Sequence, residues 1–175
     1  MIASFEFNSS ISKVIKGYSN TVLCPWNEIH LGFDFYFIDV AKVLAAAPGQ
    51  VSTIEQIDRG IGRKDRYALR LVINYSVTIA TEYLFEIWSD NYLDYQQQVS
   101  MVHVALGEWV QLGWDIAWFH NVNSSAHIHF AVLENGNSAP ICQYYSTDAY
   151  NKMMGLIEYH GLNWTKICYL MFPLP

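Results

Sequence analysis

Two stretches of this chain carry residues whose types and spacing suit metal chemistry. Around His127 and His129 the sequence alternates strictly, with Ala126, Ile128, Phe130 and Val132 on one parity and His127, His129, Ala131 and Leu133 on the other. Period-two alternation marks a half-buried strand, in which side chains two apart share a face. The pattern therefore sets two imidazoles side by side, as a zinc site requires; two polar residues on a solvated face are the plain alternative. The second stretch, His30 to Phe37, alternates in the same way. Leu31, Phe33, Phe35 and Phe37 form a bulky apolar face, and His30, Gly32, Asp34 and Tyr36 form the other. Gly32 leaves the space between His30 and Asp34 unfilled. Imidazole and carboxylate are ordinary zinc ligands, and three protein ligands with a water make an open, catalytic type of site.

In order along the chain, these residues resemble the motifs of the lysostaphin-type (LytM-like) zinc metallopeptidases, which cut peptide cross-bridges of bacterial cell walls. A His-x-x-x-Asp motif reads His30 to Asp34, followed by Phe35, and a His-x-His-Phe motif running to Asn-Gly reads His127, His129, Phe130, Asn135 and Gly136. Between them, Val43 to Val51 is similar to the family's Val-x-Ala-x-x-x-Gly-x-Val, and Gly107 to Gly113 to its Gly-x-x-Val-x-x-Gly. The resemblance implies a compact antiparallel β-sheet with a narrow groove and Zn2+ as the cofactor. It further implies His30, Asp34 and His129 as metal ligands and His127 as the catalytic histidine that polarises or orients the attacking water. The family's further histidine, in a Tyr-x-His motif, aligns with Tyr83-Leu84-Phe85, so phenylalanine stands where an imidazole is expected. Tyr83, Tyr36 and His120 are the candidates to fill that role. On this alignment Phe85→His is expected to raise peptide hydrolysis.

Three functions are compatible with this reading. One is a zinc metalloendopeptidase acting on peptidoglycan cross-bridges or stem peptides. Another is a catalytically degenerate relative that binds metal or peptide and regulates cell-wall hydrolysis. The third is an unrelated aromatic-rich β-domain that binds carbohydrate. The resemblance implies a periplasmic or extracellular protein. Met1 to Ser10, however, has neither the positive start nor the apolar run of a signal peptide, which leaves a cytoplasmic protein open.

The elements that must position these residues are mostly strands. Period-two patterns and turn signals predict strands near 30–37, 42–47, 50–57, 67–75 and within 76–88, with a short one at Phe5–Phe7. Pro48-Gly49 separates the second from the third. Arg59 to Arg66 reads as a solvated, charged turn, and Ser89 to Ser100 as a short helix or a loop over the site. Val102 to Trp118 reads as strand turning at Gly107 and Gly113, with His103 packed among apolar neighbours. His120 lies in the loop that leads into His127. Tyr150, Met153, Met154 and Ile157 recur at helical spacing, with Ser146 or Thr147 to cap the start and Gly161 the end. A last strand is expected from Trp164 to Phe172. The fold class is thus all-β to β-rich with a short C-terminal helix. One domain is expected over residues 1–175, with the motifs at about 28–140 and a helical extension at about 141–175.

Composition narrows the partners. A net charge of −6 without any Lys/Arg cluster argues against nucleic acid and gives no electrostatic pull toward anionic surfaces. No apolar run is long enough for a transmembrane segment. Cys24, Cys142 and Cys168 form no zinc-finger pattern, and both one disulfide with a spare thiol and three buried thiols remain open. A peptide or peptidoglycan substrate is the expected partner, and nothing in the sequence speaks to oligomeric state.

Overall fold

The computed structural model describes residues 11–17, 30, 32–139 and 144–160. The strands expected at Phe5–Phe7 and Trp164–Phe172, the stop at Gly161 and the three cysteines lie outside these residues. Among the described residues, ten strands and two helices follow in order: β1 Ile11–Gly17, β2 Gly32–Phe37, β3 Ala41–Leu44, β4 Gly49–Asp58, β5 Tyr67–Asn74, β6 Ile79–Glu86, α1 Tyr92–Ser100, β7 Trp109–Val110, β8 Asp115–Phe119, β9 His127–Glu134, β10 Asn137–Ala139 and α2 Thr147–His160. The architecture is β-rich, a curled antiparallel sheet with short helices. Its strand order is β1-β2-β9-β6-β5-β4-β7, with β10 alongside β9, while β3 and β8 pair separately. The strand β1 was not anticipated. The stretch Val102–Trp118 resolves into β7 and β8, with Gly107 and Gly113 in left-handed turns (φ 84° and 80°).

Apolar burial accounts for how the central strands pair. Phe33 and Phe35 of β2 stand opposite Phe130 and Ile128 of β9, which in turn stand opposite Tyr83 and Phe85 of β6. All six are essentially fully buried. Each contributes on the order of 2–3 kcal/mol of burial, against about 0–1 kcal/mol for a surface ion pair. The aromatic parity therefore sets the register, and the polar parity is carried to the other face. Asn135-Gly136 closes the β9–β10 hairpin with both residues at positive φ (51° and 79°), as the sequence predicts.

The β3–β8 ribbon covers the apolar face of the sheet, with Phe119 of β8 packed 5.4 Å from Phe37 and 6.4 Å from Phe85. Tyr83 ties the two layers together: the Ala46 N–H donates to its hydroxyl at 2.8 Å, and the hydroxyl donates to the Leu44 carbonyl at 3.1 Å. Helix α1 fills the polar segment after β6. The Asn91 side chain accepts the Leu93 N–H to cap it, and Tyr95 and Gln98 face inward. Gln98 donates to the Trp118 carbonyl and accepts the His120 backbone N–H, which anchors the loop toward β9. Helix α2 is capped by Ser146, which accepts the Ala149 N–H at 3.3 Å, and it buries Met153 in the same core.

Replacing Tyr83 with phenylalanine keeps the buried ring and deprives the Ala46 N–H of its acceptor. We expect a loss of about 1–3 kcal/mol. It would be read as a lower denaturant midpoint at unchanged slope, with metal content unaffected.

Candidate metal centre

The polar face of the sheet gathers the site. In the register of β2, β9 and β6, Asp34, His129 and Leu84 form one row, and Tyr36, His127 and Glu86 form the next. His30, just ahead of β2, reaches back over the first row. Its Nε2 lies 3.0 Å from Asp34 Oδ1 and 2.9 Å from His129 Nδ1, and His129 Nδ1 lies 2.9 Å from the same Asp34 oxygen. Among the described residues these three donors converge within range of a single ion. Gly32 is required by this approach: a Cβ there would stand 2.7 Å from the His129 ring and 2.6 Å from the Phe130 carbonyl oxygen.

The triangle suits a cation. The carboxylate oxygen carries no hydrogen, and each ring N–H can point along only one edge, so hydrogen bonds satisfy at most two of the three edges. The remaining His30–His129 edge then sets two N–H groups against each other at 2.9 Å. A cation facing three lone pairs removes that conflict. Tetrahedral zinc, with bonds of about 2.0–2.1 Å, holds its ligand atoms about 3.3 Å apart, so the triangle need only widen by a few tenths of an ångström.

Charge and burial agree with this reading. Burial alone would raise the Asp34 carboxyl, but hydrogen bonds from His129 and His30 and the neighbouring His127 and His129 charges outweigh it and hold Asp34 below the usual carboxylate range. Burial alone would favour a neutral His129; its hydrogen bond to Asp34 and the charges of Asp34, Glu86 and Glu82 outweigh burial and raise it.

His127 sits beside the triangle. Its Nδ1 lies 2.8 Å from the Ser125 carbonyl oxygen. A carbonyl only accepts, so Nδ1 carries a hydrogen, and in the neutral ring Nε2 presents a lone pair to the site. That Nε2 is 3.8 Å from Asp34 Oδ1 and 3.4 Å from Glu86 Oε2. Tyr36 stacks on the ring at 4.7 Å and fixes its tilt. Burial, then the charges of Asp34 and Glu86, push the Tyr36 phenol up, so its hydroxyl remains a donor.

Several expectations need correction. Phe85 is fully buried on the apolar face of β6, opposite Ile128, so position 85 cannot present a side chain to the site. Tyr83 points the same way and uses its hydroxyl on the β3 side. The residue of β6 beside His127 is Glu86, which sequence reasoning missed. Arg59 was missed with it: instead of ending in a solvated turn, it donates to Glu86 at 2.5 Å and to Asp65 at 2.9 Å. His103 is exposed and pairs with Asp115 at 3.1 Å rather than packing in a strand. His120 is held through its backbone N–H by Gln98 and is not one of the converging donors.

No protein-family model and no curated protein matches the sequence. Solved structures do match. A zinc-containing peptidase from Vibrio cholerae aligns over 79% of this chain and 39% of its own, at 19% identity and a TM-score of 0.52. A single-residue variant of the catalytic domain of the prophage-encoded M23 protein EnpA from Enterococcus faecalis aligns over 82% of this chain and 98% of its own, at 15% identity and a TM-score of 0.53. Csd3 from Helicobacter pylori aligns over 91% of this chain and 43% of its own, at 15% identity and a TM-score of 0.52. The fold is that of the lysostaphin-type (M23) zinc peptidases. The chain thus spans less than half of the Vibrio peptidase and of Csd3, and nearly all of the EnpA domain.

Two predictions follow from the lysostaphin-type geometry. Gly32→Ala should displace the His129 ring, push against the Phe130 carbonyl of β9 and lower zinc stoichiometry well below that of the unaltered protein under equal loading, with a lower melting temperature alongside. Zinc affinity should also rise with pH. The His129 ring nitrogen must lose its proton to bind metal, and because its pKa is raised above 6.5, proton competition persists above that pH and relaxes as pH climbs past it. Competition against a zinc-sensitive dye from pH 6 to 8.5 would measure the slope.

Proposed function

We propose that the protein is a zinc-dependent metalloendopeptidase that cuts peptide bonds of peptidoglycan, in cross-bridges or stem peptides. The observation that carries this reading is the His30–Asp34–His129 triangle, with the His127 Nε2 lone pair beside it, on the polar face of a lysostaphin-type sheet. His30 Nε2, Asp34 Oδ1 and His129 Nδ1 would hold the ion, leaving one position for water. Bound zinc would supply Lewis acidity and lower the pKa of a bound water to about 7.

The chain's own groups do the rest. His127, fixed as the Nδ1–H tautomer by Ser125, accepts a hydrogen from the attacking water and so aims its oxygen at the substrate carbonyl. Tyr36 holds the imidazole plane. Trp88 lies near, with its ring centre 6.4 Å from that of His127 and tilted by 41°. No described helix is long and apolar enough to cross a membrane; a peptidoglycan substrate would be met in the periplasm or outside the cell.

A second reading, a metal-holding module without turnover, draws on one observation: among the described residues, β6 turns Glu86 rather than an imidazole toward His127. Zinc quantification paired with digestion of purified muropeptides separates the two. The unaltered protein should hold about one zinc per chain and release new amino termini. His129→Ala should lose most of the metal, whereas His127→Ala should keep it and lose at least 100-fold in turnover. Equal metal loss in both variants would show that the roles are wrongly divided.

A further inference from the structure

We propose that Glu86 is a second catalytic group of this site, the one that takes the proton from the attacking water and returns it to the leaving nitrogen; this rests on the hydrolytic reading above. Four observations converge on the residue. It stands directly across the strand pair from His127, with Oε2 3.4 Å from His127 Nε2. It is only 15% exposed, although it lies on the polar face. Its other oxygen is held by Arg59 at 2.5 Å, and Arg59 is itself fixed by Asp65 at 2.9 Å, so Oε2 has a defined position. Finally, His127 Nδ1–H is engaged by Ser125, so with a neutral ring Nε2 and Oε2 face each other as two acceptors, and a hydrogen-bearing group that bridges them completes the pair.

Water between the two satisfies both, and the chemistry then balances. One water hydrogen points to His127 Nε2 and the other to Glu86 Oε2. As the water oxygen bonds to the carbonyl carbon, Glu86 takes the second hydrogen as a proton. It delivers that proton to the amide nitrogen as the C–N bond breaks. The products are a carboxylic acid and an amine, and Glu86 is a carboxylate again. Asp34 is not available for this step because its facing oxygen is one of the three donors that would hold the ion. Arg59 is a positioning residue that keeps the carboxylate aimed.

The test is Glu86→Gln in the zinc-loaded full chain, with Glu86→Asp as a second variant in which the acid is kept but set back. Glu86→Gln should lower kcat on a muropeptide about 100-fold or more, with KM and zinc content held and a modest drop in melting temperature from the weakened Arg59 pair, and Glu86→Asp should recover part of the loss in kcat. In the metal-free protein at fixed pH, Glu86→Gln should move the His127 imidazole 15N resonances further than those of His129, which Glu86 reaches through its charge alone. Wild-type kcat in Glu86→Gln, a fall that only tracks lost zinc or lost stability, or an unmoved His127 resonance would each overturn this role alone. A wild-type protein that holds zinc but cleaves no muropeptide would overturn the hydrolytic reading and this role with it.

Discussion

The pairing of β2 with β9 is the constraint on which everything else depends. One register, with Phe33 opposite Phe130 and Asp34 opposite His129, decides both the core and the site. A slip of one residue would turn the phenylalanines toward solvent and the ligand-type residues into the apolar layer. Burial of the aromatic face is worth several times any ion pair on the polar face, so the chain cannot trade one for the other. The polar cluster is thus held in place by the oily side of the same strands. Its own electrostatics contribute less to the fold than to what the fold can do.

The same logic explains why the site is crowded rather than merely polar. Gly32 allows the His129 ring to lie against the β2 backbone, and that approach brings three donor atoms within 3.0 Å of one another. Neutral hydrogen bonding cannot satisfy such an arrangement in full. The strain is tolerated because the strands beneath are fixed by Phe33, Phe35, Ile128 and Phe130, all essentially fully buried. Around this cluster, Tyr36 and Ser125 hold His127 through stacking and a hydrogen bond, with the Trp88 ring nearby.

Much of this was legible in the sequence, and the reasons are local. His30, Asp34, His127 and His129 announce themselves through spacing within single strands, and period two alone predicts which residues share a face. Glu86 and Arg59 were not found because their partners lie far along the chain: Glu86 meets His127 only through the β6–β9 pairing, and Arg59 meets Glu86 only because the β4–β5 turn folds back. A signal did exist. Thr81, Tyr83, Phe85 and Ile87 share one parity, which assigns Phe85 to the core and Glu82, Leu84 and Glu86 to the site face; motif alignment overrode that alternation. The separate β3–β8 ribbon had no such signal, since pairing between short strands about 70 residues apart is a tertiary choice.

The β4–β5 turn has a further consequence. Its base is locked, with Arg59 bound to Glu86 and Asp65 and with Arg66 paired to Asp58. Its tip is open: Ile61 is 89% exposed, and a Cβ added at Gly60 or Gly62 would meet nothing within 4 Å. Rigid feet under an unencumbered crown make a natural graft point. Extra segments at residues 60–62 would stand on the solvent side of these pairs, clear of Arg63, which is bound to Asp65. The chain thus carries a place where new recognition surfaces can be added while the chemistry is left alone.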